Sequence, residues 1–545
     1  MKRFIYTLLL VWSATFMVGC SDLMETSPSG EVDKDMILAN VESVETAMNG
    51  VYSTMFHRID FVTANAHQCF GDMAIRLHAE VMGDDMVQTA EGAGWFWKSY
   101  CYEVRERFAQ KIQLCYFAWK YYYEIISNVN YIISVENTAK GDAAKLKDLM
   151  AQAYTARAYA YFMLIQLYQQ TYIGNEHKPG VPIYTTPTGG TSAGKGRGTV
   201  ADVYEQINKD LTRAISLFEE AGLAQSHISH FDIYAAWLVR ARVALVQNDW
   251  ELAASSAEKA MAKPGRRILS RNEAEVTKGT FNDDTKAWTT GTTPFNSVSS
   301  PCVLWGAEVL SEQSHVYASF YSMMDACTDV YYAAESPKCI SNWLYSQIPE
   351  SDIRKGWWNG DIGVPTKDWV YGANINYNQH KFQWANQKAN TGDFIAMRME
   401  EACLIRAEAL CRNKQYEEAR IEIAKLGSAR DSGYASRLAA FTDSDEQTFG
   451  TYGTVTTLLD EILLQRRIEL WGEAGRLFDI QRQRKGWTRA WNVNGLQSNH
   501  TNQLSKYSDY AAFPSNYIEC ILMIPQTEID NNPNMTDSDQ NEYIQ

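Results

Sequence analysis

The chain is poor in the groupings that organise catalytic or nucleic-acid chemistry. Its ten cysteines form no Cys-x-x-Cys pair and keep no regular spacing, so no disulfide framework is signalled. The nine histidines are scattered and no His-Glu-x-x-His occurs, which removes a common helix-borne zinc signature. His227 and His230 are three residues apart, but no third ligand accompanies them. Lys and Arg total 50 against 65 Asp and Glu, a net charge of −15, and no basic stripe or tail is present. Phosphate backbones are gripped by clustered cations, so nucleic acid is excluded as a partner. Beyond residue 20 no apolar run is long enough to cross a bilayer. The loop Gly189-Gly190-Thr191-Ser192-Ala193-Gly194-Lys195 begins like a phosphate loop, but Gly196 stands where a Ser or Thr is needed for magnesium. Pro182 and Pro187 interrupt its approach, and it reads as a surface loop.

What is present begins at the N-terminus. Met1-Lys2-Arg3, the apolar run Phe4 to Val18 and then Gly19-Cys20 have the grammar of a secretory signal. A cysteine directly after the small residue looks like a bacterial lipoprotein signal, with residues 1–19 removed and Cys20 lipidated. Residues 20–35 are polar and turn-rich, which suits a tether. No cofactor is called for. Most cysteines, for example Cys403 and Cys411, read as small buried hydrophobes.

Helical periodicity dominates the rest. Leu114, Ala118, Tyr121, Ile125, Val129 and Ile132 recur at three- and four-residue steps, which places them on one helix face. Leu149 to Tyr168 predicts a second long helix, and Thr199 is the expected N-cap of a third. Tyr234 to Pro264 reads as a tetratricopeptide-type hairpin with its turn at Asn248-Asp249-Trp250 and small residues at Ala253, Ala257 and Ala260. Met399 to Leu426 repeats the pattern around Lys414-Gln415-Tyr416. The expected fold is therefore mainly α, a scaffold of helical pairs carrying an irregular subdomain with short strands. Its regions are 36–264, an irregular aromatic-rich insertion at 265–393, and a helical region at 394–545. Within the insertion, Val303-Leu304-Trp305 and Glu308-Val309-Leu310 predict a short strand or two.

Several segments together resemble the SusD/RagB family of surface nutrient-binding lipoproteins from Bacteroidetes. They are Glu45-Thr46-Ala47-Met48-Asn49-Gly50-Val51-Tyr52, Gly83-Asp84-Asp85, Ala156-Arg157-Ala158-Tyr159 and Gly198-Thr199-Val200-Ala201-Asp202. Glu400-Glu401-Ala402, Arg466-Arg467-Ile468-Glu469-Leu470-Trp471-Gly472 and the tail Ile524-Pro525-Gln526-Thr527-Glu528-Ile529 follow in the same order. Gln465 stands where the family usually has Glu, and Ala474 intervenes before Gly475. The resemblance implies a tetratricopeptide-like fold and a surface-exposed outer-membrane lipoprotein that does no chemistry on its ligand. It further implies capture of an oligosaccharide and delivery to a SusC-like TonB-dependent transporter. A peptide or another nutrient is the alternative ligand, and a glycoside hydrolase is the remoter one.

Ligand candidates follow from side-chain chemistry. Sugars offer apolar C–H faces and polar rims, which flat rings and polar side chains match. Aromatic residues make up 12% of the chain, and irregular segments on a rigid scaffold tend to carry sites. The expected contacts are Trp95, Trp97 and Tyr100, the preceding Asp84 and Asp85, and Trp288, Gln313, Tyr317 and Tyr321 in the insertion. Trp357-Trp358 and Asp283-Asp284 are secondary candidates. Arg466 with Glu469, and Arg476 with Glu473 and Asp479, stand at helical contact spacing and read as a structural ion-pair network.

Overall fold

The computed structural model describes residues 38–56, 66–89, 94–105, 108–109, 114–189, 192–282, 287–289, 291–326, 332–364, 374–473, 475–501 and 518–542. The leader, Cys20 and the 20–35 tether lie outside them, as do Asp283 and Asp284.

Helices α1 (Val41–Phe56), α2 (Asp72–Val81), α3 (Leu114–Ser134) and α4 (Ala143–Tyr168) open the scaffold. The predicted face of α3 is buried from Leu114 to Ile132. From Leu149 onward α4 is buried almost all round, because its alanines let neighbouring helices approach closely. Helix α5 (Val200–Ala221) starts at Thr199, whose hydroxyl accepts from the Asp202 N–H while the Asp202 carboxylate accepts from the Thr199 N–H. Arg157 of α4 grips Asp210 of α5 through two hydrogen bonds of 2.8 and 2.6 Å.

Helices α6 (Ile233–Gln247) and α7 (Trp250–Met261) form the first predicted hairpin. Asn248 turns the chain at a φ of 59°, and the Asp249 carboxylate caps α7. Ala253, Ala257 and Ala260 are fully buried. Helices α8 (Met399–Arg412) and α9 (Tyr416–Gly427) repeat the arrangement, with Lys414 at a φ of 62° in the turn. Cys403 and Cys411 are buried within α8. Helix α7 packs on α8, so two hairpins far apart in sequence stack in space. Helices α10 (Leu458–Glu469), α11 (Arg476–Gln483) and α12 (Gln526–Asn531) complete this mainly helical, tetratricopeptide-like scaffold. Among the described residues no helix is long and apolar enough to cross a membrane.

The strands are short antiparallel pairs: β1 (Met86–Gln88) with β5 (Lys338–Ile340), β2 (Thr280–Asn282) with β3 (Ala287–Thr289), β4 (Val303–Ala307) with β6 (Phe394–Arg398), and β7 (Asn492–Val493) with β8 (Leu496–Gln497). Val303-Leu304-Trp305 is strand as expected, whereas Glu308-Val309-Leu310 is not. The Val309 N–H instead donates to Asp393 Oδ1 at 3.0 Å, which bends the chain off the sheet. Strand β6 runs directly into α8, so the β4–β6 pair fastens the irregular region to the helices. Phe295, Trp305, Trp357, Trp358 and Phe382 share one apolar core with the scaffold.

The ion pairs differ from those read by helical spacing. Arg466 reaches Asp479 of α11 at 2.7 Å rather than Glu469. Glu469 is held by Arg398 at 2.9 Å, Arg430 at 3.0 Å and Arg354 at 3.2 Å. Glu473 takes Arg398 at 2.7 Å and also Lys381. Burial raises the Glu469 pKa, but Arg430, Arg398 and Arg354 outweigh it and hold the carboxylate well below its usual range. Removing one member of a buried network strands the opposite charges, at a cost of about 3–5 kcal/mol. Glu469→Ala should therefore lower the unfolding free energy by about that amount in urea titrations. A loss within experimental error would show that the three arginines hydrate or re-pair without it.

Three buried histidines make stability pH-dependent. His78 meets Ser99 Oγ at 2.6 Å, His380 meets Asn359 Oδ1 at 2.9 Å and His500 meets the Tyr100 hydroxyl at 2.9 Å. Burial pushes all three imidazoles down to about 3. The unfolded chain takes up these protons from about pH 6.5 downward, and the fold refuses them until about 3, so stability falls as pH drops through that window. His380→Gln should flatten the fall of the urea midpoint between pH 6.5 and 5. A slope equal to that of the parent would mean that His380 is charged in the fold.

Candidate functional site

Four aromatic rings from four separate segments meet at one place. His67 lies in a short helical turn, Ala66–Gln68, just before α2. Trp95 follows β1, Tyr317 lies in the loop after β4, and Tyr332 opens the turn Tyr332–Glu335 ahead of β5. Ring centroids are 5.1 Å apart for His67 and Trp95, 5.2 Å for Trp95 and Tyr332, and 5.3 Å for Tyr317 and Tyr332. His67 and Tyr317 lie near-parallel, 19° apart in plane and 5.8 Å between centroids. His67 Nδ1 and the Tyr332 hydroxyl share a hydrogen bond of 2.6 Å.

Backbone pairing sets this geometry. In the β1–β5 ladder Gln88 faces Lys338, which brings the segment after β1 beside the segment before β5. The Gln88 amide donates to the Trp95 carbonyl at 3.0 Å, and Gln68 Oε1 accepts from the Phe96 N–H at 3.1 Å. Phe96 sits at a φ of 65°, a left-handed kink that separates Trp95 from the helical turn Trp97–Tyr100. Trp95, His67 and Tyr332 are half-buried, while Tyr317 is 44% exposed. Leu310 and Val316 on the same loop are exposed too, beside the exposed polar residues Ser311, Glu312, Gln313 and His315.

The sequence-predicted residues divide around this cluster. Trp95 and Tyr317 are brought together in it. Trp97 is half-buried but turns the other way, with its ring 5.6 Å from that of Tyr100. Gln313 is exposed on the Tyr317 loop, where its Oε1 accepts from the Leu310 N–H at 3.2 Å. Trp288 is placed by its backbone alone, opposite Phe281 in the β2–β3 pair.

Five expectations are corrected by burial. Asp84 and Asp85 do not face solvent: both carboxylates lie in the interior against Arg467 and Arg476. Arg476 Nε is 2.7 Å from Asp84 and 3.1 Å from Asp85, and Arg467 is 2.5 Å from Asp85. Burial raises the Asp84 pKa, but Arg476 and Arg467 outweigh it and hold this carboxyl well below its usual range. Gly83 is required beside them, because a Cβ there would lie 2.6 Å from Arg476 Cγ. Tyr100 is fully buried under the Arg489 guanidinium, 4.2 Å from its ring centre. Tyr321 is buried with its hydroxyl donating to the Asp393 carbonyl at 2.6 Å. The Trp357-Trp358 pair is core, with Trp357 Nε1 donating to the Ala274 carbonyl at 2.9 Å. His67 and Tyr332 were not singled out from sequence, and the only signal for Tyr332 is its place among the insertion's aromatics.

Other chemistries find little support in the geometry. Among the described residues no three His, Cys, Asp or Glu side chains gather as a metal site. His227 faces Glu308 at 3.4 Å and His230 stacks on Tyr52; the two imidazoles lie 5.7 Å apart and tilted, and among the described residues they belong to no group of three metal-ligating side chains. Gly190 to Gly194 also spells Gly-x-Ser-x-Gly, but the chain from Ser192 to Gly198 has neither strand nor helix, and an elbow needs both. Lys195 folds back onto its own loop, donating to the Ile183 carbonyl at 2.8 Å.

Comparison with known proteins agrees with this architecture. A family model described as starch-binding associating with outer membrane matches residues 46–245, and the SusD family model matches residues 277–543. No curated relative matches the chain. The fold is similar to that of a SusD-like carbohydrate binding protein from Bacteroides vulgatus, with 22% identity, a TM-score of 0.69, and coverage of 93% of this chain and 99% of that one. A SusD superfamily protein from Bacteroides thetaiotaomicron has 19% identity and a TM-score of 0.69, covering 92% of this chain and 100% of that one. Surface glycan-binding protein A from Bacteroides thetaiotaomicron, solved in complex with laminarihexaose, has 15% identity and a TM-score of 0.61, covering 92% and 99%.

Proposed function

The chain belongs to the SusD family, and from that premise we propose that it binds an oligosaccharide on the rings of His67, Trp95, Tyr317 and Tyr332. One observation carries the reading: four rings from four segments converge, and Tyr317 remains 44% exposed at their outer side. The faces take the C–H surface of a sugar, and polar groups of the Tyr317 loop, Gln313 among them, orient its hydroxyls. The bound sugar is released unchanged, because the family's members are binding proteins. A structural relative in complex with laminarihexaose and another described as laminarin-binding support the ligand class.

The remaining roles complete the proposal. Lipid at Cys20 holds the protein at the outer-membrane surface, and residues 20–35 give it reach. The captured sugar then passes to a SusC-like transporter, with the protein acting as a hinged lid. Residues 265–393 supply Tyr317 and Tyr332 to the site, region 36–264 supplies His67 and Trp95, and region 394–545 completes the helical scaffold.

Calorimetric titration of the full chain with laminarihexaose, followed by other hexasaccharides, tests the site. Combining Trp95→Ala with Tyr317→Ala should weaken binding at least tenfold, about 1.4 kcal/mol, with helicity unchanged. Trp97→Ala, outside the cluster, should change affinity much less. Unaltered affinity in the double variant would remove the cluster from the site, and shortened sugar in the cell would replace binding by hydrolysis.

A further inference from the structure

A concave site lies on the helical scaffold and shares no residue with the ring cluster. It is a groove of about 760 Å³, within the range of small-molecule sites (roughly 300–1,000 Å³). One face of α3 forms its base, where Tyr116, Lys120, Tyr123 and Ser127 recur at four-, three- and four-residue steps. The loop between α4 and α5 supplies Tyr184 and Ser192, and α12 supplies Glu528 and Asn531. We propose that this groove is a second carbohydrate-binding site.

The orientation of its rings supports a sugar. Trp119 lies 4.9 Å from Tyr123, and Tyr123 meets Tyr184 edge-on at 5.9 Å. Their polar ends are already engaged by the protein. Trp119 Nε1 donates to Glu528 Oε2 at 3.3 Å, the Tyr123 hydroxyl donates to the Pro182 carbonyl at 2.8 Å, and the Tyr184 hydroxyl accepts from the Lys195 N–H at 2.9 Å. Trp119 is nearly covered and serves as floor, while Tyr123 and Tyr184 are half-buried and present ring surface. Around them stand Glu124, Asn128, Ser192 and Asn531, groups that accept or donate to hydroxyls.

Other occupants fit less well. Grooves for amphipathic helices need a row of aliphatic anchors. Here Ile126 is the one large aliphatic residue in the lining, and it is buried. Phosphorylated or polyanionic ligands need clustered cations, whereas Lys120 stands with two carboxylates, Glu124 and Glu528. A mixed ring-and-hydroxyl lining is what an uncharged sugar chain uses. The inference takes its ligand class from the reading above, but not its site.

The test uses the full chain and calorimetry against hexasaccharides of β-1,3-glucan, starch, xylan and chitin type. Two groove variants are made: Tyr123→Ala with Tyr184→Ala, and Ala193→Trp. Ala193 is exposed and lines the groove, so the indole fills the space without disturbing the core. The expected result is a binding event weakened at least tenfold by both groove variants and retained in the Trp95→Ala, Tyr317→Ala double variant. If every binding event survives both groove variants but is lost in the double variant, the groove proposal fails and the ring-cluster reading stands. If every binding event survives the double variant and none survives the groove variants, the groove proposal stands and the cluster reading fails. No binding of any hexasaccharide overturns both. Saturable binding of a tryptic peptide mixture, lost in Ala193→Trp, with no sugar bound at the groove, overturns the ligand class.

Discussion

The buried pairing of arginines with carboxylates is the constraint on which the rest of the structure depends. Each ion taken from water costs several kcal/mol, and only close geometry with further hydrogen bonds repays it. Arg398, at the junction of β6 and α8, must therefore meet Glu469 and Glu473, at the end of α10 and just beyond. Arg354, inside the irregular region, must meet Glu469 as well. Asp84 and Asp85, after α2, must meet Arg467 and Arg476 from α10 and α11. These contacts tie the segment after α2, the irregular region and the start of α8 to the stretch from the end of α10 to the start of α11. An apolar core alone tolerates sliding between elements. A set of buried charges does not, because a shift of one helical turn would leave each of them unpaired.

That rigidity accounts for where the ring cluster sits. Asp84 and Asp85 immediately precede β1, so the network anchors the strand whose ladder with β5 spaces Trp95 from Tyr332. The acidic motif thus acts on the site from behind, by holding the strand. Its carboxylates are spent on Arg467 and Arg476.

Local physics made the scaffold legible in the sequence. The face of α3, the Thr199 cap and both small-residue hairpins depend on neighbours within a few positions, and periodicity reports those directly. The proposed site was half legible. Trp95 and Tyr317 stood out as aromatics in irregular segments, but so did Tyr100, Tyr321, Trp357 and Trp358, which are core. Loops of this length build their own interior, and a ring's side of that interior is decided by strand pairing across some 250 residues of sequence. His67 escaped notice because a single histidine before a helix carries no pattern. The acidic pair was misjudged because such pairs are usually solvated, and its arginine partners lie 382 and 392 residues away, beyond any spacing rule.

The packing of the ring cluster bears on the binding proposed for it. A ring that must be ordered on binding loses rotamer freedom worth about 0.5–1.5 kcal/mol. Here the His67–Tyr332 hydrogen bond, the Gln88 clamp on the Trp95 carbonyl and the Gln68 clamp on Phe96 fix three of the four segments beforehand. Tyr317 is the exposed member of the four, and its carbonyl accepts from the Ser322 hydroxyl. A platform of this kind draws its affinity from preformed ring surface and needs no net charge. The acidic balance of −15 therefore sits comfortably with an uncharged ligand, whose approach it neither steers nor opposes.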